Sequence, residues 1–163
     1  SVGDYDLVQK VLGERGMDLG FYKVAMRPGK PLIFGTLRGG TLAGIAVLGL
    51  PGNPVSAGVT AAIFLRAAME KMLGIPENTG PVATAVLSSD LGKNGWRQDY
   101  MRGRLSHDKD GNLMATPFEA QDSSMQARLA EAGCLIVRAP EAPPAKKGER
   151  VEIIPLAVGT VLF

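Results

Sequence analysis

The 163-residue chain is poor in the side chains that build disulfides, zinc sites and catalytic triads. It contains one cysteine, Cys134, and one histidine, His107. A single cysteine can form neither an internal disulfide nor a cysteine-built zinc site. A lone histidine beside a predicted hairpin turn is a poor candidate for a metal ligand or a triad. This composition favours a reduced, cytoplasmic setting.

Long apolar runs and an excess of one charge are also missing. The longest stretch without a charged residue, 39–65, is interrupted by glycines and by Pro51 and Pro54, so it lacks the ~20 residues of unbroken apolar helix that a membrane span needs. The first ten residues carry Asp4 and Asp6 where a signal peptide would have a basic end and an apolar stretch. The 18 basic and 16 acidic residues give a net charge of +2, too balanced to favour nucleic-acid binding. We expect neither membrane nor nucleic-acid partners.

Glycine and positive charge are concentrated in the first part of the chain. Residues 1–75 hold 13 of the 21 glycines, with eight basic and five acidic residues, whereas 76–163 has ten basic and eleven acidic residues. Between them, 75–81 contains two prolines and a glycine and has the composition of a linker. The sequence therefore predicts two domains, 1–75 and 76–163, and places an anion-binding site in the first.

The first domain is predicted to be α/β. The expected elements, in chain order, are a helix over 5–15, strands over 21–26, 31–34 and 44–50, and a helix over about 54–73. The wholly apolar run 44–50 is typical of a strand buried on both faces. Asn53 is predicted to cap the second helix, with Pro54 in its first position. A strand, a tight glycine turn and a helix in succession are typical of α/β proteins.

The second domain is predicted to be a small, mostly-β barrel or sandwich. Short strands are expected over 82–87, 99–105, 113–116, 134–137 and 151–155. The segment 108–112 carries the Asp-Gly signal of a hairpin turn. One helix is expected over 123–132, capped by Ser124 and ended by Gly133.

Two stretches of the first domain carry groups suited to metals or anions. Ser1 to Asp6 forms a glycine loop at a predicted helix start, where the carboxylates could bind Mg²⁺ or Asp6 could simply interact with the helix dipole. Lys23, Arg27 and Lys30 place three cations in eight residues, two of them on a Pro-Gly turn. They suit an oxyanion clamp, although a solvated turn would have the same composition.

Two further stretches are less easily explained by structure alone. In 49–56 the glycines permit close backbone approach, and the helix that follows offers unpaired N–H groups to an anion; an ordinary helix start is the alternative. In 97–104, alternation along a strand would put Tyr100, Arg102 and Arg104 on one face. That arrangement fits an anion site and a plain polar strand face equally well.

Three motifs together resemble one family. SVGDYDLV at 1–8, KVAMRPGKPLIFG at 23–35 and GLPGNPVSA at 49–57 are similar, in order and spacing, to the molybdopterin molybdenumtransferase family, which includes bacterial MoeA and the E domain of gephyrin. Family members are longer. The resemblance therefore implies a C-terminal portion only, with the last half of a three-layer molybdopterin-binding α/β domain followed by a small β barrel. It implies that this portion is inactive by itself.

The resemblance also implies a reaction and a set of residues. The expected activity is insertion of molybdate into adenylylated molybdopterin, with release of AMP and with Mg²⁺ as cofactor. Asp6, Lys23 and Arg27 match catalytic positions, and Asp6 is the expected Mg²⁺ ligand. Arg27 stands where many relatives have lysine. Matching substrate-binding positions are Ser1, Gly3, Lys30, Pro51, Gly52, Asn53, Pro54, Arg102 and Ser123.

The same resemblance implies partners and leaves two alternatives. A homodimer is expected, with molybdopterin adenylyltransferase as the upstream partner. One alternative is a non-catalytic scaffold of the gephyrin type, which would not need the retained cations. The other is a molybdopterin-binding regulator that shares only the α/β domain, and the presence of 76–163 argues against it.

Overall fold

The structure is a computed structural model, and it describes residues 7–76, 83–122 and 126–156. Its helices are α1 (Leu7–Glu14), α2 (Pro54–Thr60), α3 (Arg66–Met72) and α4 (Gln126–Ala130). Its strands are β1 (Met17–Tyr22), β2 (Met26–Arg27), β3 (Ile33–Leu37), β4 (Ala46–Gly49), β5 (Ala83–Leu87), β6 (Gln98–His107), β7 (Leu113–Pro117), β8 (Cys134–Arg138) and β9 (Arg150–Pro155). The fold is mixed α/β, as predicted. None of the helices in the described ranges is long and apolar enough to span a membrane.

The first part of the chain contains a three-stranded antiparallel sheet in the order β1-β3-β4. The strand predicted over 21–26 is wrong as a single element, because β1 ends at Tyr22 and β2 begins at Met26. Lys23 lies between them with φ at +82°, in the left-handed region that no strand contains. The backbone therefore turns at Lys23, and β2 leaves this sheet.

The expectation that 44–50 is buried on both faces is also wrong. Its strand, β4, lies at the end of the sheet and pairs with β3. Ala46 is exposed and the other three residues are half-buried. An apolar run shows only that a strand avoids charge, and it does not show how many faces are covered.

The helix predicted over about 54–73 is confirmed, with an irregularity in its middle. A π-helical turn, Ala61–Leu65, joins α2 to α3 without a break. At the start, the side-chain oxygen of Asn53 accepts a hydrogen bond from the backbone N–H of Ser56 at 3.0 Å, and Pro54 is the first helical residue. The predicted cap thus forms as the sequence requires.

The second part of the chain forms a closed five-stranded barrel in the order β6-β7-β5-β9-β8, and β8 pairs back with β6. Strand β6 is long enough to close it, because 99–103 pair with β8 and 103–107 pair with β7. All five predicted strands are present. The interior is packed with small and branched side chains: Ala85, Leu87, Leu91, Ala115, Cys134, Ile136, Ala145, Val151 and Ile153.

Helix α2 lies against the outside of this barrel. Along β8, Cys134 and Ile136 belong to the barrel interior, whereas Leu135 packs with Met26 and Val59 of the first part. All three β8 side chains are completely buried, because alternate residues of a strand face opposite sides and both sides are covered. The two predicted domains therefore share a hydrophobic core.

Candidate active site

The turn that carries Arg27 and Lys30 is closed by two backbone hydrogen bonds. The backbone N–H of Lys23 donates to the carbonyl of Leu32 at 3.1 Å, and that of Val24 donates to the carbonyl of Lys30 at 2.9 Å. Gly29 has φ at +105°, and a Cβ there would collide with the Cγ2 of Thr60 in α2. Only glycine fits this conformation and this close approach, so the turn is packed directly on the helix.

Strand β2 places one side chain of this turn on the barrel. It pairs in parallel with the start of β6, with Arg27 opposite Asp99. The Nε of Arg27 donates to Oδ1 of Asp99 at 2.9 Å, and its Nη2 donates to Oδ2. The Asp99 side chain is 5% exposed and that of Arg27 is 60% exposed. A buried carboxylate from the barrel thus holds a largely exposed guanidinium from the turn in a two-point contact.

Two small clefts meet at this ion pair. One, of about 40 Å³, is lined by Arg27, Pro28, Asp99, Tyr100, Met101 and Gln121. The other, of about 130 Å³, is lined by Arg27, Leu91, Gly92, Lys93, Asn94, Asp99, Met101 and Arg138. Both volumes suit small inorganic anions or single functional groups of a larger ligand, because drug-sized ligands occupy roughly 300 Å³ or more.

Arg102 follows Met101, which lines the smaller cleft, and is 1% exposed. Its Nη2 donates to the carbonyl of Asp122 at 3.0 Å. Gln121, which lines the cleft, accepts from the backbone N–H of Arg102 and donates to its carbonyl, both at 3.0 Å. Burial lowers the pKa of the Arg102 guanidinium, while the charge of Asp122 opposes that shift. The cleft therefore brings together Arg27 of the first part and the surroundings of Arg102 in the second.

The alternation predicted for β6 is confirmed. Met101 and Leu105 pack against the barrel interior, whereas Tyr100 packs in the cluster outside it. On that outer face, the Arg104 guanidinium lies 5.1 Å from the centre of the Phe118 ring and pairs with Glu131. Arg104 is thus engaged in a surface network and does not line either cleft at the Arg27–Asp99 pair.

The other predicted residues fall into three groups. Lys23 and Lys30 are exposed, and the Nζ of Lys23 lies 4.8 Å from the centre of the Tyr22 ring. Neither lysine lines the two clefts. Pro51, Gly52, Asn53 and Pro54 form the start of the helix on which Gly29 packs, with Thr60 about 9 Å further along it at ~1.5 Å per residue. Ser1, Gly3, Asp6 and Ser123 lie outside the described residues.

A Mg²⁺ ion does not fit the described part of the cleft. Among the residues that line it, the only carboxylate is Asp99, and both of its oxygens accept from Arg27. Within the described ranges, histidine, cysteine and acidic side chains form no cluster of three that could hold a metal. Mg²⁺ requires several oxygen ligands, so the role predicted for Asp6 stays a prediction.

Asp99 and Gln121 were not singled out by sequence reasoning. Asp99 lies within the Arg97–Arg104 stretch, but the sequence predicts no function for it because its partner, Arg27, is 72 residues away in the chain. Gln121 has no charge or periodicity that would mark it, because its contacts with Arg102 depend on the packing of the segment after β7.

Two family models cover most of the chain. The one described as a probable molybdopterin binding domain matches residues 1–71. The one described as the MoeA C-terminal region, domain IV, matches residues 84–156 and so includes the barrel. The chain belongs to the molybdopterin molybdenumtransferase family.

Named members of the family agree with this assignment. A molybdopterin molybdenumtransferase of Haemophilus influenzae is 32% identical over 156 residues, which is 95% of this chain and 37% of that protein. A molybdopterin molybdenumtransferase of a Nostoc species is 40% identical over 112 residues, covering 68% of this chain and 25% of that protein. The chain thus spans between a quarter and two fifths of the length of these relatives.

Solved structures support the fold. The molybdopterin biosynthesis MoeA protein of Pyrococcus horikosii superposes with a TM-score of 0.73 over 92% of this chain and 34% of that one, at 24% identity. A molybdenum cofactor biosynthesis protein of Pyrococcus furiosus gives a TM-score of 0.64 over 92% of this chain and 54% of that one, at 19% identity. At these identities the likeness concerns architecture, and it extends across both parts of the chain.

Proposed function

We propose that the native protein carrying these residues inserts molybdate into adenylylated molybdopterin and releases AMP. The proposal is supported by the convergence of Arg27, from the Pro-Gly turn, and of the Arg102 surroundings, from the barrel, on one small cleft. The family resemblance predicts a site role for both arginines, although 75 positions separate them. The names of the relatives supply the substrate class.

The cleft has the chemistry that a tetrahedral oxyanion requires. Guanidinium groups offer several N–H donors in fixed geometry and keep their charge at any physiological pH. Arg27 offers such a group with 60% of its side chain exposed. We infer that Arg27 binds an oxyanion of the substrates and that Lys23 and Lys30, exposed on the same turn, draw the negatively charged substrates towards it.

Several finer features belong to the same proposal. Asp6 is proposed as the Mg²⁺ ligand, with Ser1, Gly3 and Ser123 as substrate contacts. A cytoplasmic setting and hand-over from molybdopterin adenylyltransferase are proposed from the family resemblance. The barrel, which matches the family's C-terminal region over 84–156, weighs against a regulator that shares only the α/β domain.

A homodimer is proposed as well. The long helix consists of α2, the π-helical turn and α3. Apolar side chains are exposed along its end and just after it: Leu65, Met69, Met72, Leu73 and Ile75. All of them except Met72 line an apolar groove of about 310 Å³. Contiguous exposed apolar surface is costly in water, and a second copy would cover it. Light scattering should give twice the protomer mass, and Met69→Lys should shift it to the protomer.

The proposed activity is tested by AMP release from adenylylated molybdopterin in the presence of molybdate. Arg27→Ala should lower turnover by about 100-fold or more, the typical loss when one charge-stabilising donor is removed. Arg38→Ala is the matched control, because Arg38 pairs with Asp18 at an exposed position of the first sheet, and its rate should stay within about twofold of the parent.

Asp6→Asn separates chemistry from binding in the same assay. Loss of one carboxylate should abolish turnover more than it weakens substrate binding, because the cationic contacts remain. A parent protein that binds molybdopterin but releases no AMP would reject the proposed activity and favour the scaffold or regulator. Near-parental turnover of Asp6→Asn would reduce Asp6 to a helix-start residue.

A further inference from the structure

We propose that Asp99 is a positioning residue, which fixes the orientation of the Arg27 guanidinium for the oxyanion. The inference rests on the proposed function for its substrate. Asp99 does not itself bind an anion, because two negative groups repel each other. Its action passes through Arg27, which it contacts at two points.

The geometry separates an orienting role from an ordinary surface ion pair. Asp99 is 4% exposed as a residue and belongs to the barrel. Its backbone is fixed on both sides, because it pairs with Arg27 of β2 and with Arg138 of β8. A carboxylate held in this way cannot follow a moving partner, so it determines where the arginine plane lies. Exposed ion pairs between two mobile side chains lack this constraint.

The contact leaves Arg27 able to act. A guanidinium has five N–H donors, and Asp99 accepts from Nε and from Nη2. The remaining three N–H groups belong to a side chain that is 60% exposed and lines both clefts. The plane is therefore anchored along one edge and presents the rest of its donors to a ligand.

Because Asp99 is charged, its proposed role in orienting Arg27 can be distinguished from a general contribution to the stability of the fold. Replacing Asp99 with asparagine removes a negative charge beside an anion site, which favours anion binding, and also removes the anchor, which disfavours it. Molybdate affinity should thus change little, within about threefold. Turnover depends on orientation and should fall by about 10- to 100-fold. A protein that is merely less folded would lose affinity and turnover together.

The experiment uses the native protein with four variants. Asp99→Asn is compared with Asp18→Asn, which removes the carboxylate of the exposed Asp18–Arg38 pair and should leave both quantities unchanged. The Arg27→Ala/Asp99→Asn double variant should turn over no more slowly than Arg27→Ala alone, because Asp99 acts through that arginine. Additive losses, or a parallel loss of molybdate affinity and turnover in Asp99→Asn, would overturn the proposal.

A measurement that does not depend on activity tests the role of Asp99 even if the proposed function is wrong. In ¹⁵N NMR spectra, the Arg27 Nε–H signal should be distinct and slow to exchange in the parent and should move to the free-arginine position in Asp99→Asn. An Arg27 signal already at that position in the parent overturns the orienting role. If the parent releases no AMP yet shows the ordered signal, the proposed reaction fails while the Asp99–Arg27 arrangement stands.

Discussion

Leu135→Ala is the substitution that most directly tests how the two parts of the chain are joined. Leu135 points out of the barrel and packs with Met26 and Val59, whereas its neighbours Cys134 and Ile136 point into the barrel. Shortening it leaves a cavity between the barrel and the long helix. The barrel's own interior is untouched by this change.

The expected cost follows from complete burial. Leu135 is 0% exposed, and truncation of a buried leucine to alanine costs about 2–5 kcal/mol. Taking about 3 kcal/mol, with a shift of roughly 2–4 °C per kcal/mol for a chain of this size, Tm should fall by about 6–12 °C. Val8→Ala, at a position 51% exposed and away from the proposed dimer surface, should change the stability by less than about 0.5 kcal/mol.

Hydrogen exchange measured by mass spectrometry locates the effect. Leu135→Ala should speed exchange in 54–72 as well as in β8, because the helix and the barrel lose a shared contact. Ile136→Val, which shortens an interior side chain of the same strand, should speed exchange in the barrel with less effect on the helix.

Either of two results would refute this reasoning. If exchange in 54–72 were the same in Leu135→Ala and in the parent, the helix would not depend on the barrel for its stability. If Tm fell by less than about 2 °C, the outer face of β8 would not be a packed interface.

Three further predictions concern separate features. Burial raises the pKa of the Cys134 thiol to about 11 from 9.0, so the folded state favours the neutral form. The stability present below pH 9 should decline by about 2 kcal/mol by pH 11. Denaturant titrations at each pH can check this, and Cys134→Ser should remove the decline. Gly29→Ala should lower the free energy of unfolding, measured by chemical denaturation, by about 2 kcal/mol, because it adds a clash with Thr60 to the strain of a positive φ. Gly148→Ala is the control, because it introduces the strain of a positive φ without a clash. Limited proteolysis should cut first within 75–81, and early cleavage elsewhere between 60 and 100 would count against that boundary.

The barrel could be predicted well because its signals are local. Alternating apolar residues and turn residues determine the positions of its five strands, and each strand end lies within two residues of its predicted position. The closure of the sheet was also within reach of the sequence, since several short strands separated by turns favour a barrel or a sandwich. Which strands pair is a non-local property, and it emerged only from the structure.

The first part was harder to predict because its elements depend on single backbone conformations. The positive φ of Lys23 divides a β-rich run into β1 and β2, and lysine gives no sequence sign of such a conformation. The partial exposure of β4 depends on which neighbours cover it, not on its own residues. A local sequence pattern shows which residues are apolar, but tertiary contacts decide which faces of a strand are buried.

The sequence indicates the cationic residues of the candidate site, but it does not indicate which residues they contact. Positive charge on a Pro-Gly turn indicated Arg27, and the family resemblance indicated Arg102; their roles stay predictions. Nothing in the sequence joins Arg27 to Asp99, because a charge pair between distant positions leaves no periodicity. The orientation of the arginine, on which the proposed chemistry depends, is therefore a property of the folded molecule alone.

The pairing of β2 with the start of β6 also has a consequence for synthesis of the protein. Asp99 leaves the ribosome 72 residues after Arg27, a delay of about 4–14 s at 5–20 residues per second. Strand β6 in turn closes against β8, which is translated later still. The arginine thus emerges long before its anchor exists. The cleft that both residues line can therefore form only after the barrel has been translated.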